Sequence, residues 1–256
     1  MEEKLFFENS NGLKIRGILL EPNENKKEVV ILVHGYSSHK NGSSSKQMSQ
    51  ELEKRDINSF RIDLNGCGES DGNFSDHTIS SAADDVSCAI ELMKKRRYEK
   101  ISLFGSSASG ITVMAAALKY PEIKRIGLKA PVSDYPTQKM RKMGKEGIEK
   151  WKKEGFNYYS SRDKGKIKIK YSFYEDAKKH VMYDQAKSIK CPVLIIHGDA
   201  DFTVLLEQSQ KVVEKFPDAK LIVLKGADHG LGINGDRTLA NKLFGDWFEF
   251  GHVEEK

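Results

Sequence analysis

The chain has 256 residues, of which 38% are hydrophobic, and a formal net charge of +5 from 42 lysines and arginines against 37 acids. That length suits one α/β domain with an insertion, since such domains run past about 200 residues without dividing, and no apolar run approaches the ~20 residues of a membrane helix. The basic residues are not gathered on a nucleic-acid module, which argues against a nucleic-acid partner. Cys67, Cys88 and Cys191 have neither CxxC nor metal spacing, which argues against a disulfide framework or a metal centre.

In chain order, the start Met1-Glu2-Glu3-Lys4 lacks the basic and apolar parts of a signal peptide, so a cytoplasmic location is expected. Phe6 to Leu20, broken by Asn9-Ser10-Asn11-Gly12, predicts an antiparallel edge hairpin. Glu28 to Val33 is a buried-type strand that runs into His34-Gly35-Tyr36. Ser44-x-x-Gln47 has the form of a capping box and predicts the start of a helix bearing Met48 and Leu52. Arg61 to Gly72 reads as a strand followed by glycines that let the backbone turn sharply. Ile79, Ala82, Ala83, Val86, Ala89, Ile90 and Met93 recur at helical spacing.

Lys100 to Gly110 is a strand entering a turn of very small residues, with a helix continuing over Ile111 to Leu118. This is the form of a nucleophile elbow, in which a sharp strand-to-helix turn lifts one Oγ clear of the sheet. Residues two before and two after the nucleophile must be small, and Gly105 and Ser109 stand there around Ser107. Serine replaces the usual glycine at position 109. After the strand Arg125 to Pro131, residues 133–187 break the alternation of strands and helices and predict an inserted lid. Its run Lys139 to Lys153 holds seven basic residues, read as a solvated helix face, with an acidic substrate or an anionic surface as the other reading. Lys166 to Phe173 alternates strictly and predicts a short strand.

Two more buried-type strands follow. Cys191 to Gly198 ends beside Asp199 and Asp201, and Lys220 to Leu224 leads to Asp228-His229-Gly230. Leu205, Val212, Val213 and Phe216 mark one helix, expected to start near Thr203, and Leu239, Leu243, Trp247 and Phe248 mark the last. Either aspartate could instead be a loop carboxylate that caps the helix behind it. A serine, then an acid, then a histidine, each just past a strand end, is an arrangement suited to nucleophilic acyl transfer. That chemistry needs two N–H donors where the carbonyl oxygen becomes negative. The amides of Ala108, after the nucleophile, and Tyr36, after the first buried strand, are the candidates. No cofactor or metal is required.

The motifs together resemble the α/β-hydrolases of the small esterase type, near the cinnamoyl/feruloyl esterases and the serine aminopeptidase and monoacylglycerol-lipase-like hydrolases. The likeness spans nearly the whole chain. It includes the Arg61–Gly72 stretch and the passage from Tyr174 to His180 leading into Cys191–Gly198. It implies an α/β-hydrolase fold over residues 1–256, with a mainly parallel sheet flanked by helices and a lid at about 133–187. It selects Asp201, the second aspartate of Gly-Asp-x-Asp, as the acid beside Ser107 and His229, and gives Asp63 a place in the fold rather than in catalysis. It also makes the lid aromatics Tyr158, Tyr159, Tyr171 and Phe173 candidate substrate-pocket residues. The expected activity is hydrolysis of a small-molecule carboxylic ester. An acyl thioesterase, an aminoacyl-peptidase and a non-catalytic ligand-binding relative stay open, as does a homodimer.

Overall fold

The structure, a computed structural model, describes residues 2–25, 27–161, 165–232 and 236–253. The hairpin β1 (Glu2–Glu8) and β2 (Lys14–Leu20) is followed by β3 (Glu28–Val33), α1 (Ser43–Glu53), β4 (Asn58–Ile62), α2 (Ile79–Lys95), β5 (Lys100–Ser106), α3 (Ser109–Ala117) and β6 (Ile126–Lys129). An insertion comprises α4 (Tyr135–Glu154), the hairpin β7 (Phe156–Ser161) and β8 (Gly165–Lys170), α5 (Tyr171–Ala177) and α6 (Met182–Gln185). Then β9 (Val193–Gly198), α7 (Leu206–Val213), β10 (Ala219–Leu224) and α8 (Asp236–Phe250) complete the chain.

Among the described residues eight strands form one sheet in the order β1-β2-β4-β3-β5-β6-β9-β10. Only the pairs β1/β2 and β2/β4 are antiparallel. From β3 the chain crosses to β4 on one side, then returns past β3 to β5 on the other. The sheet therefore reverses direction between β3 and β5, and in open α/β sheets ligands bind at the carboxyl ends flanking such a reversal. His34-Gly35-Tyr36 leaves one of those ends and Ser107 the other.

Period-2 side chains divide the core into two layers. Val29, Ile31 and Val33 of β3, with Leu103, Val193 and Ile195, pack in the same apolar cluster as Val86 and Ile90 of α2. Their neighbours Val30, Leu32, Phe104, Leu194 and Ile196 join Met48 and Leu52 of α1 and Phe244 and Trp247 of α8. Strands greasy on both faces thus require helices on both sides. The insertion continues the first layer through Ile148, Trp151, Ile169 and Phe173.

Two local expectations are corrected. Helix α1 begins at Ser43 with Gly42 as its cap and no side-chain cap bond, so Ser44 already lies inside the first turn and cannot cap it. The capping box belongs to α2, where Thr78 and Ser81 bond each other's amides. The alternating run also ends early: β8 stops at Lys170, and Tyr171 to Ala177 is helical. Phe173, Tyr174 and Ala177 are the apolar residues it buries, at one-, three- and four-residue spacings that suit one face of a helix better than one side of a strand.

Candidate active site

Ser107 sits between β5 and α3 at a φ of 58°, a left-handed conformation uncommon for a residue with a Cβ. Bonds on both sides hold it there: its N–H donates to the Lys129 carbonyl (2.8 Å), and its carbonyl accepts from Gly110 (2.9 Å) and Val132 (3.0 Å). Strain of this kind persists where the surroundings over-determine it. Gly105 permits the tight passage, since a Cβ there would stand 2.7 Å from the Ser109 carbonyl oxygen and 2.9 Å from Val113. Ser109, in the usual glycine position, is buried and useful. Its hydroxyl accepts from the Ser106 amide (2.7 Å) and shares its proton between the carbonyls of Val33 (2.8 Å) and Ser106 (2.9 Å), tying β3 to the elbow.

The histidine and acid reach Ser107 from two other strand ends. His229 Nε2 lies 2.8 Å from Ser107 Oγ, and its Nδ1 lies 2.6 Å from Asp201 Oδ2. An ionised carboxylate only accepts, so Nδ1 carries the proton and Nε2 presents a lone pair to the serine hydroxyl. Asp201 is fully employed. Its Oδ1 accepts from the amides of Thr203 (2.8 Å) and Val204 (2.9 Å), while Oδ2 also faces His197 Nε2 at 3.1 Å. Burial alone would raise its pKa, but the hydrogen bonds from His197 and His229 hold the carboxyl well below the usual range. The helix-capping reading of Asp201 does not hold: its Oδ1 closes a turn at Thr203 and Val204, while the cap position of α7 is Leu205 and carries no side-chain cap bond. Helix α7 itself starts later than expected, at Leu206. Asp199 points elsewhere, accepting from the Gly226 amide at 2.5 Å.

His197 was not singled out from the sequence. It is buried, its Nε2 faces two acceptors (Asp201 Oδ2 and the Val204 carbonyl at 3.0 Å), and its Nδ1 accepts from Ser209 Oγ at 2.7 Å. A polar residue closing the apolar run Val193–Ile196 is the signal that could have found it. Lys129 was missed as well. Its Nζ donates to the Gly230 carbonyl (3.1 Å), which also accepts from Arg237 Nε (3.0 Å), so two cations hold the turn behind His229. Burial and Arg237 lower the Lys129 pKa to about 8, against the opposing pull of Asp228.

On the other side of Ser107, the loop after β3 lies close enough that a Cβ on Gly35 would be 3.6 Å from the serine Cβ. His34 stiffens that loop: Nδ1 bonds the Gly35 carbonyl (2.9 Å) and Nε2 accepts from the Leu64 amide (3.1 Å). The amides of Tyr36 and Ala108 have no internal acceptor among the described residues and flank this point. Asp63, as expected, is absorbed by the fold. Buried, it accepts from the Lys40 amide (2.6 Å), Lys40 Nζ (2.5 Å) and the Glu69 amide (2.8 Å), joining the loops after β3 and β4.

The four lid aromatics separate. Tyr159 and Phe173 pack on the Tyr36 ring, at 5.1 and 5.5 Å between centroids, beside a cavity of about 20 Å³ bordered by Tyr36, Ala108, Tyr135 and Phe173. Tyr158 is 57% exposed and leans on Phe156, and Tyr171 packs on Trp151 and Tyr174 inside the insertion. The structure brings neither of these two to Ser107, because the turn into α5 rotates Tyr171 away from the direction an extended strand would have given it. Phe173 also touches Tyr135 (4.7 Å) and His77 (6.3 Å), and so supports Tyr36 from behind. Phe173→Ala should therefore cost about 3–5 kcal/mol of stability. At roughly 2–4 °C per kcal/mol for a chain of this size, the melting temperature should fall by ~6–20 °C. Acetyl and medium-chain esters should lose kcat together. A loss confined to long acyl chains, with melting unchanged, would make Phe173 a substrate-reading residue instead.

The first turns of α4 face the acid loop. Gln138 Nε2 donates to the Thr203 carbonyl (2.9 Å) and Arg141 to the Phe202 carbonyl (3.4 Å), while Lys139 Nζ stands 4.9 Å from the centroid of the Tyr135 ring. Asp201 acts electrostatically on Lys142 from across that junction.

The sequence profile of the family described as serine aminopeptidase S33 matches residues 24–172, more than half of the chain. The mitochondrial palmitoyl-protein thioesterase ABHD10 of Mus musculus is 27% identical over 213 residues, covering 81% of this chain and 70% of that protein. Among solved structures, Est1E from Butyrivibrio proteoclasticus with ferulic acid bound superposes with a TM-score of 0.80 at 24% identity, over 96% of both chains. Mouse ABHD10 superposes with a TM-score of 0.82 at 23% identity, over 98% of this chain and all of that one. At these identities the superpositions speak for the fold, and the profile match for descent. The chain belongs to the serine aminopeptidase S33 family and is a serine hydrolase of the α/β-hydrolase fold.

Proposed function

We propose that the protein hydrolyses carboxylic esters of small to medium acyl or aryl-acyl groups through an acyl-enzyme on Ser107. The observation that carries this reading is the unbroken hydrogen-bonded path from buried Asp201 through His229 to Ser107. His229 takes the hydroxyl proton as Oγ attacks the carbonyl carbon, and Asp201 balances the charge that forms on the imidazole. The amides of Tyr36 and Ala108 receive the oxyanion. His229 then passes its proton to the leaving oxygen, and a water activated by the same imidazole releases the acid and restores Ser107.

Charge argues for an ester rather than an aminoacyl peptide. A free α-ammonium group needs carboxylates near it, whereas the start of α4 carries Lys139, Arg141 and Lys142, and its one nearby acid, Asp134, is buried as the helix cap. A thioester is the second reading, favoured by the likeness to a protein named as a palmitoyl-protein thioesterase. A panel of oxygen esters, matched thioesters and aminoacyl anilides, run against Ser107→Ala, tests the assignment. Oxygen esters should be turned over and lost in the variant, and a fluorophosphonate should label the wild type. Faster turnover of the matched thioesters would move the assignment to them. Turnover of anilides alone would return it to the peptidases, and no labelling would leave a binding protein.

A further inference from the structure

Several cations among the described residues meet a carboxylate of another element or turn. Lys40 bonds Asp63, Arg55 bonds Glu51, Asp246 and Glu249, Lys94 bonds Glu91 and Glu122, and Lys124 bonds Glu28. Lys139, Arg141 and Lys142 have no carboxylate within ion-pair distance among the described residues. Lys139 is half-buried and stands over the face of Tyr135, four residues earlier and itself a wall of the cavity beside Ala108. Desolvation and the repulsion of Lys142 push the Lys139 pKa down to about 8. Lys142, exposed, feels Asp201, whose oxygens are already occupied by two amides and two histidines.

Lys139 is thus a half-buried cation without a carboxylate partner, with Arg141 and Lys142 close by on a helix whose Gln138 and Arg141 bond the loop that carries Asp201, so an anionic group reaching it would gain a charge-assisted contact without breaking an existing ion pair. Resting on the hydrolase reading above, we infer that Lys139, with Lys142 beside it, forms a subsite for an anionic group, a carboxylate or phosphate, on the substrate. Either the acyl part or the leaving group can carry that group. Arg141 is already committed to the Phe202 carbonyl and contributes charge more than contact. A charge-assisted pair in a partly desolvated site is among the stronger polar contacts, so its removal should be read as a tenfold effect or more.

The test uses three phenyl esters: phenyl pentanoate, monophenyl glutarate with the anion on the acyl side, and 3-carboxyphenyl pentanoate with the anion on the leaving group. Spontaneous hydrolysis is subtracted from each. In the wild type, kcat/KM should favour one of the anionic esters over phenyl pentanoate by at least tenfold, and which of the two it favours names the side. That ratio should fall at least tenfold in Lys139→Met, be retained in Lys139→Arg, and shrink as salt is raised. Lys142→Met, at an exposed position, should lower the same ratio and serves if Lys139→Met does not fold. Calorimetric binding of the three esters to Ser107→Ala reads the subsite without turnover. If no ester is hydrolysed but the anionic one still binds more tightly, the hydrolase reading fails and the subsite stands. Equal affinities and equal kcat/KM for charged and neutral esters, or a ratio unmoved in both lysine variants, overturn the subsite.

Discussion

Ser107→Ala is expected to lower kcat by on the order of 10⁶-fold, the scale lost when a comparable protease nucleophile is removed. The change deletes one oxygen that projects from the turn toward His229, and it leaves intact the three backbone bonds that hold the elbow. The left-handed φ of 58° is already borne by a residue with a Cβ, so alanine adds no new backbone cost. The variant should melt within a few degrees of the wild type and lose fluorophosphonate labelling. Ser106→Ala and Ser109→Ala act on different ground. Both side chains are buried, and Ser109 joins β3 to the elbow, so its removal should loosen the site and lower stability without removing the nucleophile. An active Ser107→Ala beside a dead and unlabelled Ser106→Ala would shift the nucleophile by one position.

Asp201→Asn is expected to cost roughly 10⁴-fold in kcat, as an amide in place of the orienting carboxylate does elsewhere by presenting the wrong histidine tautomer. The structure gives the reason in atoms. An asparagine oxygen can still accept from Thr203 and Val204, so the turn survives, but its NH₂ would then meet N–H groups of both His229 and His197. Two donors facing a donor force at least one ring to flip its tautomer, and His229 would lose the lone pair it offers Ser107. Asp199→Asn keeps an acceptor for the Gly226 amide and should cost under tenfold. Steady-state assays on both variants, with circular dichroism to confirm folding, decide between them. The reverse ranking would assign the acid to Asp199.

Much of this arrangement is legible in the chain because it depends on local chemistry. Strands buried on both faces must be continuous apolar runs, so Glu28–Val33, Lys100–Phe104 and Val193–Ile196 announce themselves. A sharp turn after such a strand needs small residues, which makes Gly105 to Ser109 conspicuous. The likeness to known hydrolases chose Asp201, and the structure brings that residue, not Asp199, to His229. Single-residue hydrogen-bond patterns were less readable. Ser44 and Gln47 have the spacing of a capping box, yet the helix starts two residues too early for Ser44 to cap it, and Thr78 with a serine in place of the usual acid or amide does so for α2. In Lys166–Phe173, alternation cannot distinguish a strand from a strand that turns into a helix halfway.

The sequence by itself therefore determined the fold class, the places where the sheet ends in a serine, a histidine and two carboxylates, and the existence of the insertion. These follow from periodicity, residue size and order along the chain. What only the tertiary structure decided is which side chains meet. His197 joins Asp201 because β9 and the turn after it fold the acid back over its own strand end, Lys129 reaches the turn behind His229 across about a hundred residues, and Tyr159 and Phe173 reach Tyr36 while Tyr158 and Tyr171 do not. The seven basic residues between Lys139 and Lys153 look alike in the sequence. Only the folded surroundings separate the half-buried Lys139 from lysines that simply face water, because burial and the lack, among the described residues, of a carboxylate partner are properties of the surroundings rather than of the residue.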